Sequence, residues 1–281
     1  GLDSDGVVGM QTLAALNVPA QARTEQLRLN LERWRWLPQD LGTRHLRVNI
    51  AGFELEVVEN GSPVMQMRVI VGQQYRQTPV FSGDITYLVL SPYWHVPSSI
   101  AVKDKLPLLK KSPGALSQQG YEIFRGWGAD AQAVDPASVD WSAVSAGSFP
   151  YRLRQKPGPN NALGRVKFMF PNQYNVYLHD TPSRELFARS ERGFSSGCIR
   201  VQQPMELMQY LLADQPEWTP ERIHRVIDSR KETSVRLKQA VPVHLLYWTA
   251  WIEEDGAVHF RRDIYGRDAR LQQALDALSK P

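Results

Sequence analysis

The chain carries a single cysteine, Cys198, in the run Gly193-Phe194-Ser195-Ser196-Gly197-Cys198-Ile199-Arg200, and a histidine, His179, nineteen residues before it. One thiol cannot close a disulfide within the chain and makes a poor metal site, so it is an inert buried thiol, a stray free one or a nucleophile. Its neighbours favour the nucleophile. Ser195, Ser196 and Gly197 give the sulfur a small, polar approach, and Gly197 lets the backbone come close to a substrate. Arg200 adds a cation two residues downstream, and an electropositive setting favours the thiolate. A nucleophilic thiol also needs a base that is adjacent in space, whatever the sequence distance. A histidine taken alone is more often structural; the thiol downstream makes His179 the candidate base.

The elements around this pair follow from periodicity. Val176 and Leu178 alternate with Asn175, Tyr177 and His179, and Asp180-Thr181-Pro182 breaks the pattern, which predicts a strand over 174–179 with His179 at its end and Tyr177 on the same face. Leu46, Val48 and Ile50, then Phe53, Leu55 and Val57, alternate with polar residues, and Asn60-Gly61 predicts a two-residue hairpin into Met65, Met67, Val69 and Val71. Ile85 to Leu90 adds another strand. Thr12–Leu16 predicts a short helix, and 22–36 an amphipathic one docked through Leu27, Leu31 and Trp34. Past the motif, helices are expected from Pro204 to Ala213 and from Thr219-Pro220 to Ser229. The first of these offers an N-terminal dipole that lowers the thiol pKa if it reaches Cys198. Strands are expected at 241–251 and 257–261, and a last helix from Asp268 with Leu271, Leu275 and Leu278. The fold class is α+β: a mainly antiparallel β-sheet or sandwich catalytic core with flanking helices and an inserted capping subdomain.

That insertion occupies 103–159. Prolines and glycines interrupt every candidate element there, and the stretch is too long for a simple connection. Tyr121-Glu122-Ile123-Phe124 and Trp127 supply an apolar anchor. Ser91 to Pro97 forms the hinge leading into it, and Trp94 is a candidate for lining the cleft, with plain packing as its alternative. His95 has no second histidine or carboxylate at ligand spacing, so no metal is assigned.

Composition bounds the rest. A length of 281 residues holds one large domain or two smaller ones, and 42% hydrophobic residues suffice for a core. A net charge of +4 without a basic, aromatic-interleaved patch gives no case for nucleic acid. A mild positive bias suits an anionic polymer, and solubility equally. No apolar run approaches a membrane span. A chain that begins at Gly1 in mid-pattern reads as a trimmed piece, with no export signal to be read from it.

The Cys–His signature resembles the L,D-transpeptidases with the YkuD-type catalytic domain: a histidine, a gap, then Ser195-Ser196-Gly197-Cys198-Ile199-Arg200. Ser196 stands where many members have a second histidine and Asp180 where many have glycine. Both departures resemble the larger YcbB-like branch found in Gram-negative bacteria, and the first leaves His179 as the only imidazole. The resemblance implies a catalytic domain at 44–102 and 160–265, with the cap between. It implies a remnant of a peptidoglycan-binding module at 1–20, a linking helix at 21–43 and a C-terminal helix at 266–281. It further implies that Cys198, activated by His179, attacks the third residue of a peptidoglycan tetrapeptide stem. Backbone N–H groups near Gly197 and Cys198 would hold the oxyanion. D-alanine would leave, and a neighbouring stem amine would complete a 3→3 cross-link. Tyr177, Ser196, Arg200, Trp94 and Asp180 are the candidate substrate-binding residues, with a structural salt bridge as the alternative for Arg200. No metal or organic cofactor is required. Carbapenems are expected to acylate Cys198, cell-wall synthesis proteins are candidate partners, and the location implied is periplasmic, with room for an inner-membrane anchor. Two rivals stay open: a cysteine hydrolase (an L,D-carboxypeptidase) acting on stems or linked lipoprotein, and a non-catalytic wall-binding protein.

Overall fold

The computed structural model of the protein describes residues 2, 5–126, 128–253 and 255–278. Its strands run β1 (Arg44–Asn49), β2 (Glu54–Glu59), β3 (Ser62–Gly72), β4 (Phe81–Leu90), β5 (Trp94–His95), β6 (Tyr121–Arg125), β7 (Gln132–Val134), β8 (Tyr151–Gln155), β9 (Val166–Met169), β10 (Leu178–His179), β11 (Gly193–Ser195), β12 (Ile199–Val201), β13 (Thr233–Leu246), β14 (Ala250–Ile252) and β15 (Val258–Phe260). The hairpin between β2 and β3 turns on Asn60 and Gly61 at φ of 50° and 83°, the left-handed pair such a turn demands.

The main sheet has the order β11-β3-β12-β10-β9-β4-β13-β1-β2, and β2 also pairs with β3. The sheet therefore closes on itself, which removes most exposed edges. Most neighbours are antiparallel, while β1–β13, β10–β12 and β11–β3 are parallel. Alternation along the strands sends Leu46, Leu55, Val69, Leu88, Phe168, Leu178 and Ile199 into one buried cluster. Helices Pro204–Leu211 and Pro220–Asp228 add Leu207, Leu211 and Ile223 to it. The second helix is capped as its sequence predicts, with the Arg222 N–H donating to Thr219 Oγ1.

The insertion is a small unit with its own sheet, β5-β8-β6-β7, and its own core of Val96, Leu109, Leu116, Ile123, Trp141 and Leu153. It begins at Trp94, not at 103, because Trp94 pairs with Gln155 across β5 and β8. The buried Asn161 amide fastens its neck, donating to the carbonyls of Pro92 (3.0 Å) and Lys156 (2.9 Å). Trp127, an expected anchor, lies outside the described residues.

Two expectations need correction. Helix Ala20–Arg35 turns Leu29, Asn30 and Arg33 inward and leaves Leu31 exposed, while Trp34, itself partly exposed, docks as expected by stacking on the buried Trp248 with ring centres 4.4 Å apart. Much of the remaining docking is polar: Gln26 donates to the Thr249 carbonyl, Asn30 both donates to Thr249 Oγ1 and accepts the Thr249 N–H, and Arg33 pairs with Asp268. The open backbone beside β14 selects amides here, where an apolar stripe was expected. The expected strand at 241–251 is a longer β13 from Thr233, with Val235 and Leu237 already alternating inward, followed by the separate hairpin β14–β15.

Candidate active site

The motif strand is shorter than its alternation suggests, because 173–174 form a turn before β10. Asn172 builds that turn: its Oδ1 accepts from the N–H groups of Tyr174 and Val176, and its amide donates to the carbonyls of Phe170 and Val176. Asn175 follows at φ 53°. From there β10 runs parallel to β12, with Leu178 opposite Ile199 and His179 opposite Arg200. One residue back, the same register sets Tyr177 opposite Cys198. Since alternate residues share a face, Tyr177, His179, Cys198 and Arg200 stand on one side of the sheet. Leu178 and Ile199, both fully buried, hold the other side to the core.

His179 is buried. Its Nδ1 lies 2.5 Å from the Asp180 carbonyl oxygen. A carbonyl only accepts, so Nδ1 carries the proton and Nε2 keeps the free lone pair of a base. Burial, then the Arg200 guanidinium, pushes the imidazole down to about 3. Burial pushes the Cys198 thiol up to about 11, opposed by the N–H and phenol of Tyr177 and the charges of Arg200 and Lys167. The resting pair is thus neutral thiol and neutral imidazole, an arrangement in which attack by the sulfur would require the proton to move with it. In this arrangement the thiol faces the Asn175 carbonyl at 3.9 Å. For the imidazole to serve as the base of this thiol, their contact would have to tighten on binding of an acyl donor.

Arg200 is desolvated, its Nε is buried without a hydrogen-bond partner, and it forms no ion pair among the described residues. The salt-bridge alternative is therefore not what the structure holds; a cation without a close ion-pair partner faces the thiol, with Glu185 acting on it only through space. Lys167 sits beside His179 across β9 and β10 and reaches to 5.8 Å from the Tyr177 ring centre. Sequence reasoning missed it, although a lysine between Val166 and Phe168 in an apolar strand was the signal. The helix at Pro204 starts beyond β12, so its N-terminus does not sit at the thiol.

Other expected residues divide. Ser196 is exposed and accepts from Arg76 at 2.8 Å, while Arg76 also grips Asp104 of the cap at 2.7 and 2.9 Å. Ser196 thus belongs to a tie between nucleophile loop and cap. Asp180 is buried with its carboxylate held by Arg165 and Arg184, so it braces the strand end and does not face substrate. Trp94 packs on Tyr121 in the cap, with Lys105 over both rings. Gly197 takes φ 116°, open to glycine and costly for other residues, and its N–H is already spent on Ser195 Oγ at 3.1 Å. That leaves the Cys198 N–H as the nearer candidate for an oxyanion.

The loop is braced from behind by Thr78, which is fully buried. Its hydroxyl donates to the Gly197 carbonyl and accepts from the Gly72 N–H, both at 2.9 Å. Tyr265 donates to the Gly72 carbonyl, and Arg267 donates to the Thr78 carbonyl. Nothing in the sequence near the motif points to these partners. Thr78→Val is expected to cost about 1–3 kcal/mol, since two buried backbone groups lose their partner, and to slow acylation of Cys198. Thr78→Ser, which keeps the hydroxyl, should retain most of both. Thermal unfolding and adduct formation followed by mass would check this.

Residues 43–235 match the L,D-transpeptidase catalytic domain family, YkuD. A Haemophilus influenzae protein whose L,D-transpeptidase assignment is itself inferred is 38% identical over 251 residues, covering 89% of this chain and 50% of that protein. The chain thus spans about half the length of that relative. Among solved structures, L,D-transpeptidase 3 of Mycobacterium tuberculosis with a faropenem-derived adduct is 14% identical, covering 73% of this chain and 60% of that one, with a TM-score of 0.33. The catalytic domain of the E. faecium L,D-transpeptidase is 11% identical, covering 74% and 100%, with a TM-score of 0.32.

Proposed function

The chain belongs to the family of L,D-transpeptidase catalytic domains, and from that premise we propose that it forms 3→3 peptidoglycan cross-links through a Cys198 thioester. One observation carries the reading: β10 and β12 set Cys198, an Nδ1-protonated His179 and Arg200, which has no ion-pair partner among the described residues, on one sheet face. In the first half-reaction His179 Nε2 takes the thiol proton as Sγ bonds to the carbonyl carbon of the third stem residue. The Cys198 N–H holds the oxyanion. The C–N bond to D-alanine breaks, and the imidazolium returns its proton to the leaving amine. In the second, a stem side-chain amine attacks the thioester and loses its proton to Nε2, and the departing thiolate takes that proton back. No step calls for a metal or organic cofactor.

Arg200 pairs with a stem carboxylate in this scheme, because its planar fork matches that group. Arg200→Lys is expected to raise KM for a tetrapeptide donor by about tenfold or more, with a smaller change in kcat; steady-state kinetics would separate the two. Ser196 in place of a second imidazole, and the cap with its own core, support placement in the YcbB-like branch. A peptidoglycan substrate supports a periplasmic location, and the partly exposed side chain of Cys198 supports carbapenem acylation.

The test is intact-mass spectrometry with purified disaccharide-tetrapeptide, alongside product analysis. A thioester adduct on Cys198 together with a 3→3 dimer is the expected result. Tripeptide without dimer would make the protein a hydrolase, and no adduct with any acyl donor would leave a wall-binding protein.

A further inference from the structure

Away from the nucleophile, a cavity of about 630 Å³ opens between the end of helix Ala20–Arg35, the start of β4, the end of β13 and helix Arg267–Leu278. Its walls are apolar: Trp36, Leu37, Phe81, Leu245 and Trp248 line it. Three guanidiniums, of Arg33, Arg267 and Arg270, also reach it. Their charges are not balanced alike. Arg33 is neutralised by Asp268 at 2.6 Å. Arg267 is half-buried over the rings of Tyr247 and Tyr265, and its guanidinium donates to neutral oxygens, the Thr78 carbonyl at 3.0 Å and Gln77 Oε1 at 3.4 Å; the Asp263 carboxylate acts on it through space but forms no ion pair with it among the described residues. Arg270 is exposed at the mouth and forms no ion pair among the described residues.

An apolar cavity of this size with a few convergent polar groups is the usual form of a small-molecule site. A half-buried guanidinium with no ion-pair partner gains a charge-assisted contact from an incoming anion. A neutral apolar ligand would leave Arg267 as it is, and a fully polar anion would gain nothing from the aromatic walls. We propose that this cavity binds an amphiphile with one anionic head, a carboxylate or a phosphate, set against Arg267 and Arg270 with its apolar body along Trp36, Phe81 and Trp248. The assignment does not depend on the proposed cross-linking chemistry. It has a link to it all the same, because Arg267 holds Thr78, and Thr78 holds the Gly197 carbonyl.

Trp36 and Trp248 give the cavity its own reporter. The intact protein would be titrated with decanoate, decyl phosphate and decanol below their micellar concentrations, following tryptophan fluorescence and calorimetry. Saturable one-to-one binding of either anion, at least about tenfold tighter than decanol, is expected; whichever head binds more tightly names the source. Arg270→Glu, on an exposed helical position, should weaken the anion by about tenfold and leave decanol unchanged. Leu271→Trp, which fills the cavity, should abolish both signals. Equal affinity for decanol, binding indifferent to Arg270→Glu, or no saturable binding would each overturn the proposal. All of these readings are available in Cys198→Ala protein, so they stand apart from any result on catalysis.

Discussion

Cys198→Ala is expected to lower turnover of a tetrapeptide donor by at least about 10⁴-fold, the scale seen when a covalent nucleophile is removed. The argument rests on what remains without the sulfur. His179 and Arg200 would still stand on the same face, and the Cys198 N–H would still be available. None of these can form the acyl intermediate, so only positioning and oxyanion stabilisation survive. Leu178 and Ile199 anchor the strands from the other side, so loss of one partly exposed side chain should leave the fold intact. Cys198→Ser is the sharper comparison. An alkoxide is harder to generate than a thiolate, and a base buried at about 3 is poorly matched to a hydroxyl. Serine should therefore be nearly as inactive as alanine while binding donor normally. Adduct mass and turnover, measured on both variants with unchanged thermal unfolding, would check this. Substantial turnover by either variant would remove Cys198 from the mechanism.

The second large effect concerns His179. Replacement by glutamine, which can keep a donor toward the Asp180 carbonyl, is expected to cost about 10²–10⁴-fold in acylation. The pH dependence distinguishes a base from a packing residue. With the imidazole at about 3 and the thiol at about 11, the free enzyme holds a neutral pair at neutral pH. Alkylation of Cys198 by iodoacetamide should therefore keep rising from pH 7 toward about 11, without the plateau below pH 7 that a thiolate–imidazolium pair gives. The same depressed imidazole has a consequence for stability. Below the ordinary imidazole value of 6.5 the unfolded chain takes up a proton that the folded one refuses. Stability is complete above pH 6.5 and is lost as pH falls toward about 3, by roughly 1.4 kcal/mol per pH unit from this group. Denaturant midpoints at pH 7 and pH 5 should differ accordingly, and His179→Gln should flatten the slope. A slope unchanged by that substitution would show that other groups set the acid limit.

The site was legible where chemistry and periodicity lie close along the chain. Tyr177 and His179 could be placed on one face because Val176 and Leu178 mark the other; Cys198 and Arg200 were legible as chemistry, and only the pairing of β12 with β10 puts them on that face. The Asn60-Gly61 turn and the Thr219 cap were readable for the same reason: each is decided by a few adjacent residues. Contacts between distant segments were not. Asn30 looks like an ordinary helix-surface residue until Thr249 is brought against it. Asp180 looks like a substrate ligand until Arg165 and Arg184 take up its carboxylate. Thr78 and Tyr265 carry no local pattern, yet they hold the nucleophile loop from behind. The cap's boundary escaped for a related reason, since Trp94 joins it only by pairing with Gln155 from the far end of the insertion.

Closure of the sheet depends on β13, which lies between β4 and β1 and begins only at Thr233. On the ribosome, His179 and Cys198 emerge well before that strand does. Until it arrives β4 and β1 are unpaired edges, exposed to partners on other chains. The match to the family ends at residue 235, two residues after β13 begins. A fragment cut at that boundary would contain the whole Cys–His signature and still be expected to aggregate, whereas one extending past Leu246 would complete the ring.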